Sequence, residues 1–301
     1  MTHVVRYETA GEVRIGVLAD GAVRPVPGVA SMAGLLALGL AEARSLVERA
    51  AEEAAVPVDD VRLLPPIDGL TEVWASGVTY ERSMDARVEE SQTQDVYSRV
   101  YAAERPELFF KSVAWRVVTD GELIVARPDS AVTVPEPELA VVVTATAEVF
   151  GYTVCDDVSS RDIEGENPLY LPQAKIYAGS CALAPGIRPA WEVADAGALG
   201  IDVRVTRGGS PVFEGTTSTA RMRRPVSDLV DHLVRAQDFP AGAVLSTGTG
   251  IVPDLDFTLL EGDVVEVVVE DVGVLVNPVG TLEAARTAAA MRIPAGDLAR
   301  P

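Results

Sequence analysis

Two acidic pairs bracket two apolar runs in the middle of this chain, and no other feature restricts its folding as tightly. Pro135-Glu136-Pro137-Glu138 leads directly into Leu139–Thr144, and the β-branched run Val149–Val154 leads directly into Cys155-Asp156-Asp157. Strand side chains repeat every two residues, so Glu136 and Glu138 project to the same face if the first run is a strand entrance. A hairpin joining the two runs then returns Asp157 close to Glu138. Carboxylates held side by side repel, and burial pushes their pKa upward unless a cation compensates. Oxygen donors with no His or Cys partner suit a hard divalent cation, Mg²⁺ before Zn²⁺. Each block alone also fits a plainer role. The first reads equally as a solvated loop, and the second as an Asx-rich turn with Asp156 or Asp157 capping backbone and Asp162 paired to Arg161. Both blocks at this spacing favour a metal site.

The rest of the chain is rich in short strand signals. Val73–Ser76, Leu123–Ala126, Ile201–Arg207, Ala243–Thr247 and Val264–Val269 are β-branched or alternating. Turn signals are dense at Asp120-Gly121, Gly208-Gly209, Glu261-Gly262-Asp263 and Asn277-Pro278. Helices are expected over about Arg82–Ala103 and Val226–Ala236. Strands outnumber what regular βαβ alternation gives, so the fold class is α+β with a substantial β core. The N-terminal stretch reads as a small α/β unit: strands at His3–Glu8 and Glu12–Leu18, a turn at Ala19-Asp20-Gly21, and a helix capped by Ser31 and running to about Ala55. The double proline Pro65-Pro66 marks its end, giving a small domain over 1–66 and a larger one over 67–301.

Composition narrows the partners. A formal charge of −20 with no Lys/Arg-rich run argues against nucleic acid. No apolar run approaches the roughly 18 residues of a membrane span. The N-terminus lacks a basic start followed by an apolar segment, so no secretory signal is expected. Cys155 and Cys181 make no disulfide framework and no zinc site by themselves, which points to a reduced, cytoplasmic protein. Among 25 basic residues only two are lysines, Lys111 and Lys175. Codon bias accounts for the arginine excess. Yet a buried Lys can lose its proton and acts as a compact point charge, as Arg does not, so both lysines are candidates for chemistry.

Further blocks fall in an ordered series: Arg62-Leu63-Leu64-Pro65-Pro66, Gly77-Val78-Thr79-Tyr80, Gly151-Tyr152-Thr153, Asp156-Asp157-Val158-Ser159-Ser160-Arg161-Asp162, Ser246-Thr247-Gly248-Thr249-Gly250, Leu260-Glu261-Gly262-Asp263 and Asn277-Pro278-Val279. With Pro135-Glu136-Pro137-Glu138 they make the stretch from about Leu63 to Gly280 resemble the fumarylacetoacetate hydrolase superfamily. The resemblance implies a mixed β-sandwich roll, Mg²⁺ ligands at Glu136, Glu138 and Asp157 with Asp156 a neighbour, and a substrate-facing arginine at Arg161. It also implies a homodimer or homotetramer. Hydrolases of the superfamily usually carry G-x-N-Y-x-x-H, whose His activates water. Here Thr79 stands at the Asn position and Ser83 at the His position, and the two histidines are His3 and His232. The run Glu166-Asn167-Pro168-Leu169-Tyr170-Leu171-Pro172-Gln173-Ala174-Lys175-Ile176-Tyr177 resembles the 2-keto-3-deoxy-sugar-acid dehydratase branch, which turns 2-dehydro-3-deoxy-D-arabinonate into 2,5-dioxopentanoate and water. By that resemblance the active-site Lys falls on Lys175 and an acidic group on Glu107.

Elementary chemistry gives these residues work to do. A 2-keto acid chelates Mg²⁺ (Mn²⁺ is an alternative), which stabilises the enolate left when C3 loses a proton. A base near C3 and an acid near C4 complete a dehydration. Lys175 suits the base if burial and a neighbouring cation lower its pKa, and Glu107 suits the acid. Lys175 as a Schiff-base former, or merely paired to an acid, is the competing role. Ser76, Gly77 and Thr249 lie in loops able to present hydroxyl and amide donors to a carboxylate, with Arg161 as a further substrate contact and Phe110 as pocket lining or core. Tyr80 serves as wall or core. Arg82 and Arg87 belong to a helix that could act as a lid. The expected function is therefore Mg²⁺-dependent dehydration of a 2-keto-3-deoxy sugar acid. C–C hydrolysis or decarboxylation of an acylpyruvate or oxaloacetate is the alternative, and a non-catalytic sugar-acid sensor the reading from another class.

Overall fold

The expected hairpin forms the middle of the larger of two main sheets. Residues 1–90 and 94–291 are the described residues of this computed structural model, the side chains of 86–96 and 289–291 excepted. Pro137–Val143 runs antiparallel to Val149–Asp157, with Leu139 opposite Val154 and Glu138 opposite Cys155. Every residue of Pro137–Val143 is buried. Ala140 and Val142 face a cluster containing Met32, Leu35 and Phe150. Leu139 faces the second sheet, while Val141 and Val143 face the helix Val226–Val234 through Leu229 and Leu233. Burial on both sides is why this strand reads as an unbroken apolar run.

Among the described residues this sheet has twelve strands. From the hairpin it extends one way through Ala243–Ser246, Glu72–Gly77 and Glu107–Val113, the first two of these being parallel. The other way it runs through Gly186–Pro189 to the N-terminal strands His3–Thr9, Glu12–Ala19 and Ala22–Pro25, Val4 pairing with Ile187. Cys181–Leu183 and Arg62–Leu64 pair to its side. The second sheet has five strands, Ser210–Ser218, Gly200–Arg207, Val264–Val269, Gly273–Gly280 and Ile124–Val125. Ile201, Val203, Val265, Val267 and Leu275 pack from it onto Leu139 and Val154. The molecule is thus a strand-rich α+β protein with mixed sheets.

Local structure departs from the sequence expectations in four places. The helix capped by Ser31 ends early: Ser31 Oγ accepts from Gly34 N at 3.0 Å, but Met32–Leu36 stops and a second helix, Leu40–Arg49, starts after Gly39. Glycines at 34 and 39 weaken a continuous helix, and Glu148 from the hairpin turn accepts the Leu40 N–H at 2.9 Å, so tertiary contact fixes the break. The stretch expected as Arg82–Ala103 is two helices, Glu81–Glu90 and Gln94–Ala102, and residues 91–93 lie outside the described residues. Asn277-Pro278 marks no turn but lies within the strand Gly273–Gly280, where Asn277 Nδ2 donates to the Thr119 and Glu122 carbonyls at 2.8 Å each. Glu107–Val113, finally, is a strand that the patterning does not announce.

Candidate active site

The open end of the hairpin gathers the acidic residues. Asp157 N–H donates to the Glu136 carbonyl at 2.9 Å, and Glu136 N–H donates to Asp156 Oδ1 at 2.9 Å, which clamps the strand entrance to the strand exit. Side-chain oxygens of Glu136, Glu138 and Asp157 consequently lie within 4.8 Å of one another, and all three residues are buried. Glu138 Oε2 is held by Ser246 Oγ at 2.6 Å and by the Gly248 N–H at 2.7 Å. Burial, followed by repulsion from Asp157 and Glu136, raises the Glu138 carboxyl well above its ordinary pKa. Asp156 is also pushed up, to about 7, chiefly by burial.

Lysines supply most of the compensating charge. Lys175 Nζ donates to Glu136 Oε2 at 2.7 Å and to Asp157 Oδ2 at 3.2 Å, and sits 5.6 Å from the centre of the Phe109 ring. Lys111 Nζ lies 2.5 Å from Asp157 Oδ1, an ion pair set off the hydrogen-bond direction. Arg161 Nη1 is 3.4 Å from Glu136 Oε1. A divalent cation fits this donor set: three convergent carboxylates, no imidazole or thiol among them, and a raised Glu138 carboxyl that a cation would return to its anionic form.

A small cleft opens onto this cluster, with Ser76, Gly77, Glu107, Arg161, Lys175 and Thr249 in its wall. Gly77 and Glu107 are cross-strand partners, and a Cβ on Gly77 would stand 2.1 Å from Glu107 Oε2. The glycine therefore seats the Glu107 carboxylate, and Ser76 Oγ donates to the Glu107 carbonyl at 3.1 Å. Gly248, at φ +90°, is equally obligatory, since its Cβ would meet Thr79 Oγ1 at 2.0 Å. Thr79 Oγ1 itself donates to the Thr247 carbonyl at 2.7 Å, tying the Gly77-Val78-Thr79-Tyr80 loop to the Gly248 loop. Val78 between them is left-handed at φ +54°, a strained conformation for a β-branched residue.

Phe110 is not brought to the cleft. Alternation along Glu107–Val113 turns it the other way, edge-on to Trp74 with ring centroids 6.0 Å apart, and Phe109 takes the wall position. Glu164 is a wall residue that the sequence reading misses: it is buried one helical turn past Arg161 on Arg161–Glu166, and that i,i+3 spacing was the available signal. Ser83, at the position of the usual histidine, also lines the cleft and donates to the Tyr80 carbonyl at 2.8 Å. Asp162 binds Ser130 Oγ at 2.5 Å and the Ala131 N–H at 2.8 Å. Tyr80 is buried beside Gly250. Arg82 makes an exposed pair with Asp254 at 3.6 Å, and the Arg87 side chain lies outside the described residues. His232 bonds the Asp228 carbonyl within its helix and His3 the Val272 carbonyl, at 2.8 and 2.7 Å. Cys155 and Cys181 are buried, and the hydrogen bond between them, with burial, raises the Cys155 thiol.

Comparison with known proteins follows the same lines. Residues 72–280 match the family model described as fumarylacetoacetate (FAA) hydrolase C-terminal. The chain is 44% identical over 226 residues to a 2-dehydro-3-deoxy-D-arabinonate dehydratase of Saccharolobus solfataricus, covering 74% of this chain and 76% of that one. It is 43% identical over 247 residues to a probable 2-keto-3-deoxyxylonate dehydratase of Haloferax volcanii, covering 80% and 85%. A solved structure of 2-keto-3-deoxy-D-arabinonate dehydratase complexed with magnesium and 2,5-dioxopentanoate superposes with a TM-score of 0.79 at 35% identity, covering 93% of this chain and 99% of that one.

Proposed function

The chain belongs to the fumarylacetoacetate hydrolase family, and from that premise we propose that it is a Mg²⁺-dependent dehydratase of a 2-keto-3-deoxy sugar acid, converting 2-dehydro-3-deoxy-D-arabinonate to 2,5-dioxopentanoate and water. The observation that carries this reading is the seat of Lys175: its ammonium lies between Glu136 and Asp157 at 2.7 and 3.2 Å, in the wall of a cleft that Glu107 also lines. The relatives at 44% and 43% identity are named as a dehydratase and a probable dehydratase of 2-keto-3-deoxy sugar acids. Serine in place of the usual histidine removes the water-activating base that C–C hydrolysis needs.

Glu136, Glu138 and Asp157 are the residues that would hold the ion. Bound Mg²⁺ supplies Lewis acidity at the keto and carboxylate oxygens of a 2-keto acid. Lys175, as the neutral amine, takes a proton from C3; a cation on its two carboxylate partners would favour that form, and the same two partners fix where its nitrogen points. Glu107 delivers a proton to the C4 hydroxyl, so that water leaves and C3 and C4 become doubly bonded. The allylic alcohol then becomes the aldehyde by proton loss from C5 and from its hydroxyl, and proton gain at C3 and C4. Arg161, Ser76 and Thr249 orient the substrate from the cleft wall, and Gly77 keeps Glu107 in place.

The same proposal includes a homodimer or homotetramer working in the cytoplasm, which the buried free thiols support. No helix among the described residues is long and apolar enough to cross a membrane. Incubating the protein and Mg²⁺ with a panel of 2-keto-3-deoxy pentonates and acylpyruvates, with products read by mass spectrometry, tests the reading. Loss of one water to a dioxo acid is the expected outcome. Release of pyruvate or CO₂ would replace the dehydratase with a C–C bond enzyme.

A further inference from the structure

Lys111 has no part in the chemistry just described, yet it is completely buried. It occupies a break in the sheet: Trp74 pairs with Phe110 and Val73 with Ser112, so Lys111 is the extra residue of a β-bulge in Glu107–Val113. Bulges re-aim a side chain, often beside active sites. This one sends the ammonium beneath the cleft to three oxygens, Asp157 Oδ1 at 2.5 Å, the Lys175 carbonyl at 2.5 Å and the Val158 carbonyl at 3.2 Å. An ammonium has three donors and no acceptor; here it donates to the two carbonyls and holds Asp157 Oδ1 as an ion pair off the hydrogen-bond direction. Ser180 Oγ donates to the same Lys175 carbonyl at 2.9 Å, closing the seat.

We infer that Lys111 is a positioning residue that locks Asp157 and the backbone of Lys175 into one rigid unit, setting the distance between the ion-holding carboxylates and the nitrogen that takes the proton. The inference rests on the metal reading above. Lys111 grips one oxygen of Asp157 and Lys175 approaches the other, so the carboxylate can neither rotate nor withdraw. The chain's preference for Arg stops here for a physical reason. A planar five-donor fork cannot address one carboxylate and two carbonyls from a point in a fully enclosed site.

The test is Mn²⁺ affinity by electron paramagnetic resonance, together with steady-state kinetics at saturating Mg²⁺, on the parent and on Lys111→Met. Neighbours of metal ligands typically contribute roughly 10- to 100-fold in metal affinity. The variant is expected to bind Mn²⁺ weaker by about that factor and, with Mg²⁺ saturating, to lose about tenfold or more in kcat with KM little changed. Lys111→Arg is expected not to restore either value. A residue that only fills the core would lower the melting temperature and leave both values unmoved, and that result overturns the inference. Should Lys111→Met not fold, Lys111→Gln, which keeps one donor group, carries the same expectation and the same refutation. A parent that binds no Mn²⁺ removes the metal reading and this inference with it, whereas tight binding unchanged in the variants removes this inference alone.

Discussion

The Lys111 ammonium lies 2.5 Å from the backbone carbonyl of Lys175, so the two lysines of the chain are joined directly as well as through Asp157. Between them they contact both oxygens of that carboxylate. Buried charges are tolerated only when paired and hydrogen-bonded, and this arrangement leaves three acidic groups close together without unfolding the hairpin end. The open side of the triad faces the cleft, where a substrate can enter.

Lys175 is the most sensitive position for turnover. General-base contributions are worth roughly 10²- to 10⁴-fold, so Lys175→Gln should lose about that much in kcat while keeping its fold by circular dichroism. Lys175→Arg preserves charge but cannot give up its proton, and it should be as inactive in a stopped assay of product formation. A Lys175→Arg protein as active as the parent would remove the base assignment.

Gly77→Ala probes Glu107 without touching it. The added methyl must displace a carboxylate oxygen that would stand 2.1 Å away. Small misplacements of a reacting group can cost roughly 10²-fold, so kcat should fall by about that order while Mg²⁺ affinity, measured calorimetrically, stays at the parent value.

Metal and proton compete at Glu138. Its carboxyl is held above the ordinary range by burial and by two neighbouring acids, so in the metal-free protein it retains a proton to higher pH than an exposed glutamate. Ligands must be deprotonated to bind a cation, so Mg²⁺ affinity should rise with pH and binding should release protons. Titrations in buffers of different ionisation enthalpy measure that release. Chelation by EDTA should lower the melting temperature and Mg²⁺ restore it, since an ion present at about 100 times its Kd adds roughly 2.7 kcal/mol.

Asp156 sets a pH dependence of stability. Its folded pKa, about 7, lies above the unfolded value, so its contribution is fully present below the unfolded pKa, near 4, and is lost as pH rises toward 7. Asparagine keeps the oxygen that accepts from Glu136 N–H and does not ionise. For metal-free protein, Asp156→Asn should therefore melt close to the parent near pH 4 and progressively above it as pH approaches 7. A melting difference that stays flat across that range would contradict the assignment.

How much of this was legible in the sequence depended on parity and on local signals. The triad was, because alternation places Glu136 and Glu138 together and a hairpin between apolar runs returns Asp157 to them. Lys175 was singled out by the scarcity of lysine and by family resemblance. Sequence alone points to Phe110 and passes over Phe109, because choosing the cleft face requires the strand Glu107–Val113, which the patterning does not reveal, and a one-residue slip reverses every side chain. The bulge that aims Lys111 depends on the partner strand Glu72–Gly77, which no local pattern encodes. Glu164 was hidden for a related reason, since a short helix in an acidic stretch looks solvated until the cleft is seen to bury it.

Proton removal by Lys175 beside a divalent ion can be observed without the elimination that follows. Exchange of the C3 hydrogens of 2-oxobutanoate, a 2-keto acid with no hydroxyl to lose, can be followed by proton NMR in D₂O with the enzyme and Mg²⁺. Exchange above the metal-only blank is expected for the parent and for Glu107→Gln, and none for Lys175→Gln or after EDTA. Exchange that survives the loss of Lys175, or that proceeds equally fast without the ion, would contradict proton removal by Lys175 beside the ion.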